Sequence, residues 1–168
     1  MSEALRSFFL VMIFGLITMM QWNLDADKTA TRQLKNSLEI AVHDASLAID
    51  ESELIQGLLV FDEPQGTSNF KESLKYHLQL DDNLKPLPDS FYKNPFVIKK
   101  LVYIDEKTID PNTGNPVRFP YVYENTIYDV VDVLDGPSVI AIVETTSPRY
   151  FRGDAITIRQ AAVYEYIP

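Results

Sequence analysis

The feature that most constrains this chain is a run without any charged residue, from Ser7 to Leu24, close to its amino terminus. About 20 apolar residues form a helix long enough to cross the ~30 Å hydrocarbon core of a bilayer. The sequence therefore predicts that residues 1–24 form a transmembrane helix. The side chains expected to face lipid or other apolar partners are Phe8, Phe9, Leu10, Val11, Met12, Ile13, Phe14, Leu16, Ile17 and Trp22.

An apolar run of this kind also occurs in cleavable signal peptides and in buried helices of soluble proteins. Signal peptidase sites need small residues, whereas the run ends in the bulky segment Met19-Met20-Gln21-Trp22. We therefore expect an uncleaved anchor. Trp22 stands where aromatic residues gather at the boundary between membrane and water.

Charge gives only a weak indication of orientation, because Arg6 before the run and Lys28 and Arg32 after it nearly balance. The N-terminal position resembles a signal anchor, and the 168 residues contain no cysteine. From these two observations we expect a bacterial membrane protein whose C-terminal domain lies outside. The net charge of −9 argues against nucleic acid as a partner.

The segment after the anchor, residues 25–56, is predicted to extend the same helix. Asp25 to Gln56 contains neither glycine nor proline, and its apolar residues recur at helical spacing. We expect one nearly continuous helix from Glu3 to Ile55, ended by Gly57. Its packing face comprises Leu34, Leu38, Ala41, Val42, Ala45 and Ala48. This face packs either on the protein's own sheet alone or, near Leu34, also on neighbouring subunits.

Residues 57–168 are predicted to form an α+β head that is mainly antiparallel β. It begins with a strand over Gly57–Phe61, a turn at Pro64-Gln65-Gly66 and a second helix from Thr67 or Ser68 to Leu80. We expect that helix to bury Phe70, Leu74, Tyr76 and Leu78. Asp81–Asn94 is predicted to be a loop.

The remainder of the head has the residue pattern of β-strands. Asp135-Gly136-Pro137 between two of them suggests a hairpin. Asp110–Asn115 is a turn by composition. The strands are expected over Phe96–Ile104, Phe119–Tyr123, Ile127–Leu134, Ser138–Thr145 and Asp154–Ile167.

No residue cluster predicts an active site. His43 and His77 are isolated, without the spacing of a metal site. Asp129 and Asp132 would fall on opposite faces of a strand. We therefore expect no catalytic, cofactor-binding or metal-binding residues and no enzymatic activity. Seven aromatic residues late in the chain either pack in the core or form a contact surface: Tyr121, Tyr123, Tyr128, Tyr150, Phe151, Tyr164 and Tyr166.

The order of an apolar N-terminal helix, an amphipathic continuation and a β-rich head resembles type IV pilins, pseudopilins and TadE-like pilus proteins. The resemblance lies in Phe8–Met20, in the stripe Leu34–Ala48 and in the strands after Pro95. Glu3 and Arg6 precede the apolar run without a prepilin leader, so the sequence does not support a prepilin-peptidase site.

The resemblance implies a structural subunit of an extracellular pilus-like filament or secretion apparatus, stored in the membrane before assembly. Residues 1–24 would then be a filament-core helix as well as an anchor. The partners would be copies of the chain or other pilin-like subunits, and lipid before assembly. The alternative is a membrane-anchored accessory or sensory domain that binds a protein or ligand outside the membrane.

Overall fold

The computed structural model describes residues 3–111 and 113–166. Parts of four predictions lie outside the described residues: the start of the anchor, one position of the turn over Asp110–Asn115, the end of the strand over Asp154–Ile167 and the end of the head. The positions concerned are residues 1, 2, 112, 167 and 168. The chain is α+β, as the sequence predicts: a long N-terminal helix is followed by shorter helices and antiparallel strands. The elements are α1 (Glu3–Ser46), α2 (Glu51–Leu54), α3 (Glu63–Leu78), β1 (Val97–Ile104), β2 (Tyr121–Asn125), β3 (Val130–Leu134), β4 (Ser138–Thr146) and β5 (Thr157–Glu165).

Helix α1 has 44 residues, which corresponds to roughly 66 Å at 1.5 Å per residue. Its two halves have different surroundings. The half from Glu3 to Asp25 has no buried side chain, whereas the half from Ala26 onward buries a stripe on α3, β4 and β5. The helix therefore enters the head partway along its length, with no linker between the two halves.

The predicted end of the long helix at Ile55 is wrong, because α1 ends at Ser46. Beyond it the backbone forms a short antiparallel bridge, in which Asp50 N donates to Val60 O (2.9 Å) and Asp62 N donates to Ala48 O (3.0 Å). Asp50 then caps α2 by accepting from Ser52 N at 2.9 Å. Ala48 is buried but lies outside the helix.

Two further expectations for this region are also wrong. Gly57–Phe61 is not a strand and contributes only the bridge between Phe61 and Ile49. The expected turn at Pro64 is the first turn of α3, where a missing N–H costs nothing. Asp62 caps that turn by accepting from Gln65 N at 3.0 Å.

Helix α3 packs closely on α1. A Cβ on Gly66 would lie 3.0 Å from Ala45 O and 2.8 Å from Tyr103 Oη, so a larger residue there would require a neighbouring group to move. Phe70, Leu74 and Leu78 are buried as expected. Tyr76 is 81% exposed, contrary to prediction, because it lies on the opposite side of the helix.

The three-stranded sheet has the order β1-β4-β5, and both neighbours pair antiparallel with β4. Both faces of β4 are covered. Val139, Ala141 and Val143 join the core cluster that contains the α1 stripe, and Ile140 joins a second cluster near β2 and β3. A strand covered on both faces has a continuous apolar sequence, as Val139–Val143 does.

The hairpin predicted at Asp135–Pro137 is wrong, because β3 pairs with β2 and not with β4. The segment instead connects the two sheets, and Pro137 O accepts from Tyr166 N at 2.8 Å. On the β2–β3 sheet, Tyr121 and Leu134 face inward. The opposite face points to solvent.

Candidate functional site

The N-terminal half of α1 exposes large apolar side chains all around the helix. The successive residues Leu10, Val11, Met12 and Ile13 are all exposed, and each points about 100° further round the helix than the one before it. In the described chain, α1 is the one helix long and apolar enough to cross a membrane, with a mean hydropathy of 1.7 over its most apolar window and none of that window buried. All ten residues predicted to face an apolar partner lie here and are exposed. A helix that is apolar on every side needs lipid or protein around it.

Where α1 enters the head, the connection between β4 and β5 folds back onto the helix. The Trp22 ring packs edge-on against the rings of Tyr150 and Phe151, with centroids 6.3 Å apart in both pairs. Trp22 and Tyr150 are each 57% exposed, and Phe151 is 38% exposed. We call these three residues the aromatic collar.

Polar contacts hold the collar against the helix. Asn23 Oδ1 accepts hydrogen bonds from the backbone N–H groups of Tyr150 and Phe151, both at 3.2 Å. One turn further along, the Arg149 guanidinium donates to the Asp27 carboxylate, and both side chains are largely buried. Arg149 Nε also donates to the main-chain oxygen of residue 154 at 2.8 Å. The collar is therefore fixed through main chain and ion pair, independently of its aromatic side chains.

Sequence reasoning named Trp22, Tyr150 and Phe151 but did not bring them together. Trp22 is more than 120 positions from Tyr150 and Phe151, as the separation of 127 between its neighbour Asn23 and Tyr150 shows. Asn23 directly follows Trp22, and the two aromatic residues lie between Arg149 and Arg152, but neither pattern by itself indicates that these segments meet.

The predicted helix-packing face is buried within the chain itself. Leu34, Leu38, Ala41 and Ala45 are completely buried in the main core cluster, and Val42 is almost completely buried. Leu34 therefore lies inside the head, although it is the residue of this face nearest to the apolar half of α1. The loop residue Tyr92, whose hydroxyl donates to Ala30 O at 2.6 Å, belongs to the same cluster. No part of this face is open to a neighbouring subunit at Leu34.

A second exposed apolar surface lies on the outer face of the β2–β3 sheet. Val122 and Val133 are directly opposite each other, and Val131 follows on the same side. Val122, Val133 and Val131 are 57%, 55% and 63% exposed, respectively. We call them the valine face. The exposed Glu124, which pairs with Val131, lies on the same face.

The other polar residues considered from sequence have local roles. His43 stacks edge-on with Tyr164 (4.8 Å) and His77 with Tyr76 (5.2 Å). Asp129 has a φ of 54° and precedes β3, so it is not the strand residue expected. Among the residues that the structure describes, no group of three or more His, Cys, Asp or Glu side chains could hold a metal ion.

Comparison with known proteins adds no relative to this description. No protein-family model, no curated protein and no solved structure matches the chain.

Proposed function

We propose that this protein is a structural subunit of an extracellular pilus-like filament or secretion apparatus, held in a bacterial cell membrane by α1 with its head outside. The observation that supports this is the continuity of α1. One unbroken helix has its first half bare and apolar on every side, and its second half forms part of the core of the head. Lipid covers the bare half in the membrane, and the same half of neighbouring copies covers it in a filament.

The head would supply the lateral contacts. The buried face around Leu34 is unavailable for this, so the proposal assigns subunit contacts to the valine face instead. Its three outward valines lie together on a two-stranded sheet, with Glu124 opposite Val131. Apolar area of this kind gains free energy when a second copy or a related subunit removes it from water.

The test is to find the chain in filaments. An epitope inserted after Gly114 lies in an exposed turn of the head, away from the collar. Material sheared from cells that express the tagged chain is examined by immunogold electron microscopy. We expect labelled filaments. Tagged chain found only in the membrane fraction would refute the filament role.

A matched pair of variants tests the contact surface. Val133→Lys places a charge opposite Val122 on the valine face, where it remains solvated in the monomer, so the head stays folded while filaments are lost. Tyr76→Lys, at another exposed site on α3, should leave filaments intact. If both variants assemble normally, the valine face is not a subunit contact.

The aromatic collar favours a second candidate, an anchored accessory or sensory domain that remains at the membrane. If the collar lies at the membrane boundary, its contact with lipid would keep the head at the membrane. This candidate predicts that the tagged chain stays in the membrane fraction and binds a protein or ligand outside the membrane.

A further inference from the structure

We infer that the aromatic collar docks the head onto lipid: Tyr150 and Phe151 enter the interfacial layer of the bilayer beside Trp22. This surface is distinct from the transmembrane segment, because it belongs to a loop of the head more than 120 residues later in the chain, as the separation of 127 between Asn23 and Tyr150 shows. The inference rests on insertion of α1 in a membrane and applies to the chain before any assembly.

The first argument is the depth at which the collar lies. From Leu5 to Trp22 the helix rises roughly 26 Å, close to the ~30 Å thickness of the hydrocarbon core. If Leu5 lies at one boundary, Trp22 lies at the other, where Trp and Tyr gather. The rings of Tyr150 and Phe151 are centred 6.3 Å from that of Trp22. They therefore lie in the same interfacial layer.

The second argument is that polar contacts fix the loop at residues 149–151 on α1, next to Trp22. Asn23 accepts from the two N–H groups of residues 150 and 151, and the Arg149–Asp27 pair fixes the preceding residue on the helix. Both aromatic side chains nevertheless remain substantially exposed. The loop makes its polar contacts through its backbone and through the Arg149 side chain. The aromatic surfaces of Tyr150 and Phe151 stay free to contact the lipid that surrounds α1.

The charges beside the collar indicate which lipid headgroups are sufficient for docking. The groove between Trp22 and Tyr150 is also lined by Asp25 and Lys28, whose opposite charges cancel. In the loop itself, the exposed Arg152 is balanced by the exposed Asp154. The whole chain carries a net charge of −9, which disfavours anionic headgroups. Docking should therefore occur on zwitterionic lipid and should not require anionic lipid.

The sequence contains one tryptophan, so intrinsic fluorescence can report single positions. The full chain is reconstituted in phosphatidylcholine vesicles with or without brominated acyl chains, which quench tryptophan at short range. Native protein reports Trp22. The double variant Trp22→Phe with Phe151→Trp reports the loop, and Trp22→Phe with Tyr76→Trp reports an exposed head position as the control.

We expect the tryptophan of the Phe151→Trp variant to be quenched about as strongly as native Trp22, with a blue-shifted emission maximum. The Tyr76→Trp control should show neither effect. Near-UV circular dichroism establishes that each variant is folded. Emission at position 151 that is as insensitive to bromine as the control would overturn the inference. Quenching of Trp22 reports insertion separately, and the filament assay is unaffected by either result.

Discussion

Replacing Leu34 with alanine tests whether α1 belongs to the core of the head or to a subunit interface. The side chain is completely buried in the main core cluster. Comparable Leu→Ala changes cost about 2.7–5 kcal/mol, because transfer free energy is lost and a cavity remains. We take about 3 kcal/mol for the loss in free energy of unfolding. For a domain of this size that lowers Tm by roughly 6–12 °C.

The matched control on the same helix is Ile40→Ala. Ile40 is 41% exposed, so the truncation should cost only about 1 kcal/mol. Thermal unfolding of the full chain in detergent micelles, followed by near-UV circular dichroism, measures the tertiary packing of the head while α1 stays helical. If Leu34→Ala lowers Tm no more than Ile40→Ala, Leu34 is not packed in the head and the core described above is wrong.

Three further changes test other parts of the structure. Ile142→Asp puts a charge at a fully buried position of β4 and should destabilise the head by about 4 kcal/mol, and normal thermal unfolding would contradict this. Arg159, then Lys99, lowers the pKa of Glu144 below its ordinary value of 4.5. The ionised form therefore stabilises the fold above pH 4.5, and this contribution is lost as pH falls through the lowered pKa. Glu144→Gln should flatten the acid limb of a profile of unfolding free energy against pH, whereas an unchanged slope would exclude this contribution from Glu144. Asn23→Ala removes two acceptor contacts of about 1 kcal/mol each and should accelerate amide hydrogen exchange at residues 150 and 151, whereas unchanged protection would show that Asn23 does not hold the loop.

The fold class and most strands could be predicted because their signals are local. The charge-free run, the helical spacing from Leu34 to Ala45 and the turn residues each lie within a few positions of one another. The boundaries could not be predicted where distant residues compete for the backbone. Nothing near Ser46 breaks a helix, and α1 ends there because Ala48 and Asp50 pair with Val60 and Asp62.

Strand pairing and the collar could not be predicted from sequence for the same reason. Asp135-Gly136-Pro137 has turn chemistry, but which strands it joins depends on the pairing of β4 with β1, which is about 40 residues earlier in the chain. The burial of Leu34 also depends on tertiary context, since the same helical stripe would suit an oligomeric contact. Asn23 carries no local signal that it binds a loop near Phe151.

Because α1 is unbroken, the head would turn together with the apolar half of the helix. From Asp25 to Ser46 the helix continues for roughly 33 Å beyond the apolar half. A transmembrane helix that tilts by about 20° to match a thinner bilayer would therefore carry the C-terminal end of α1 roughly 11 Å sideways. Because α1 has no hinge between its two halves, bilayer thickness would set the angle at which the valine face meets its surroundings.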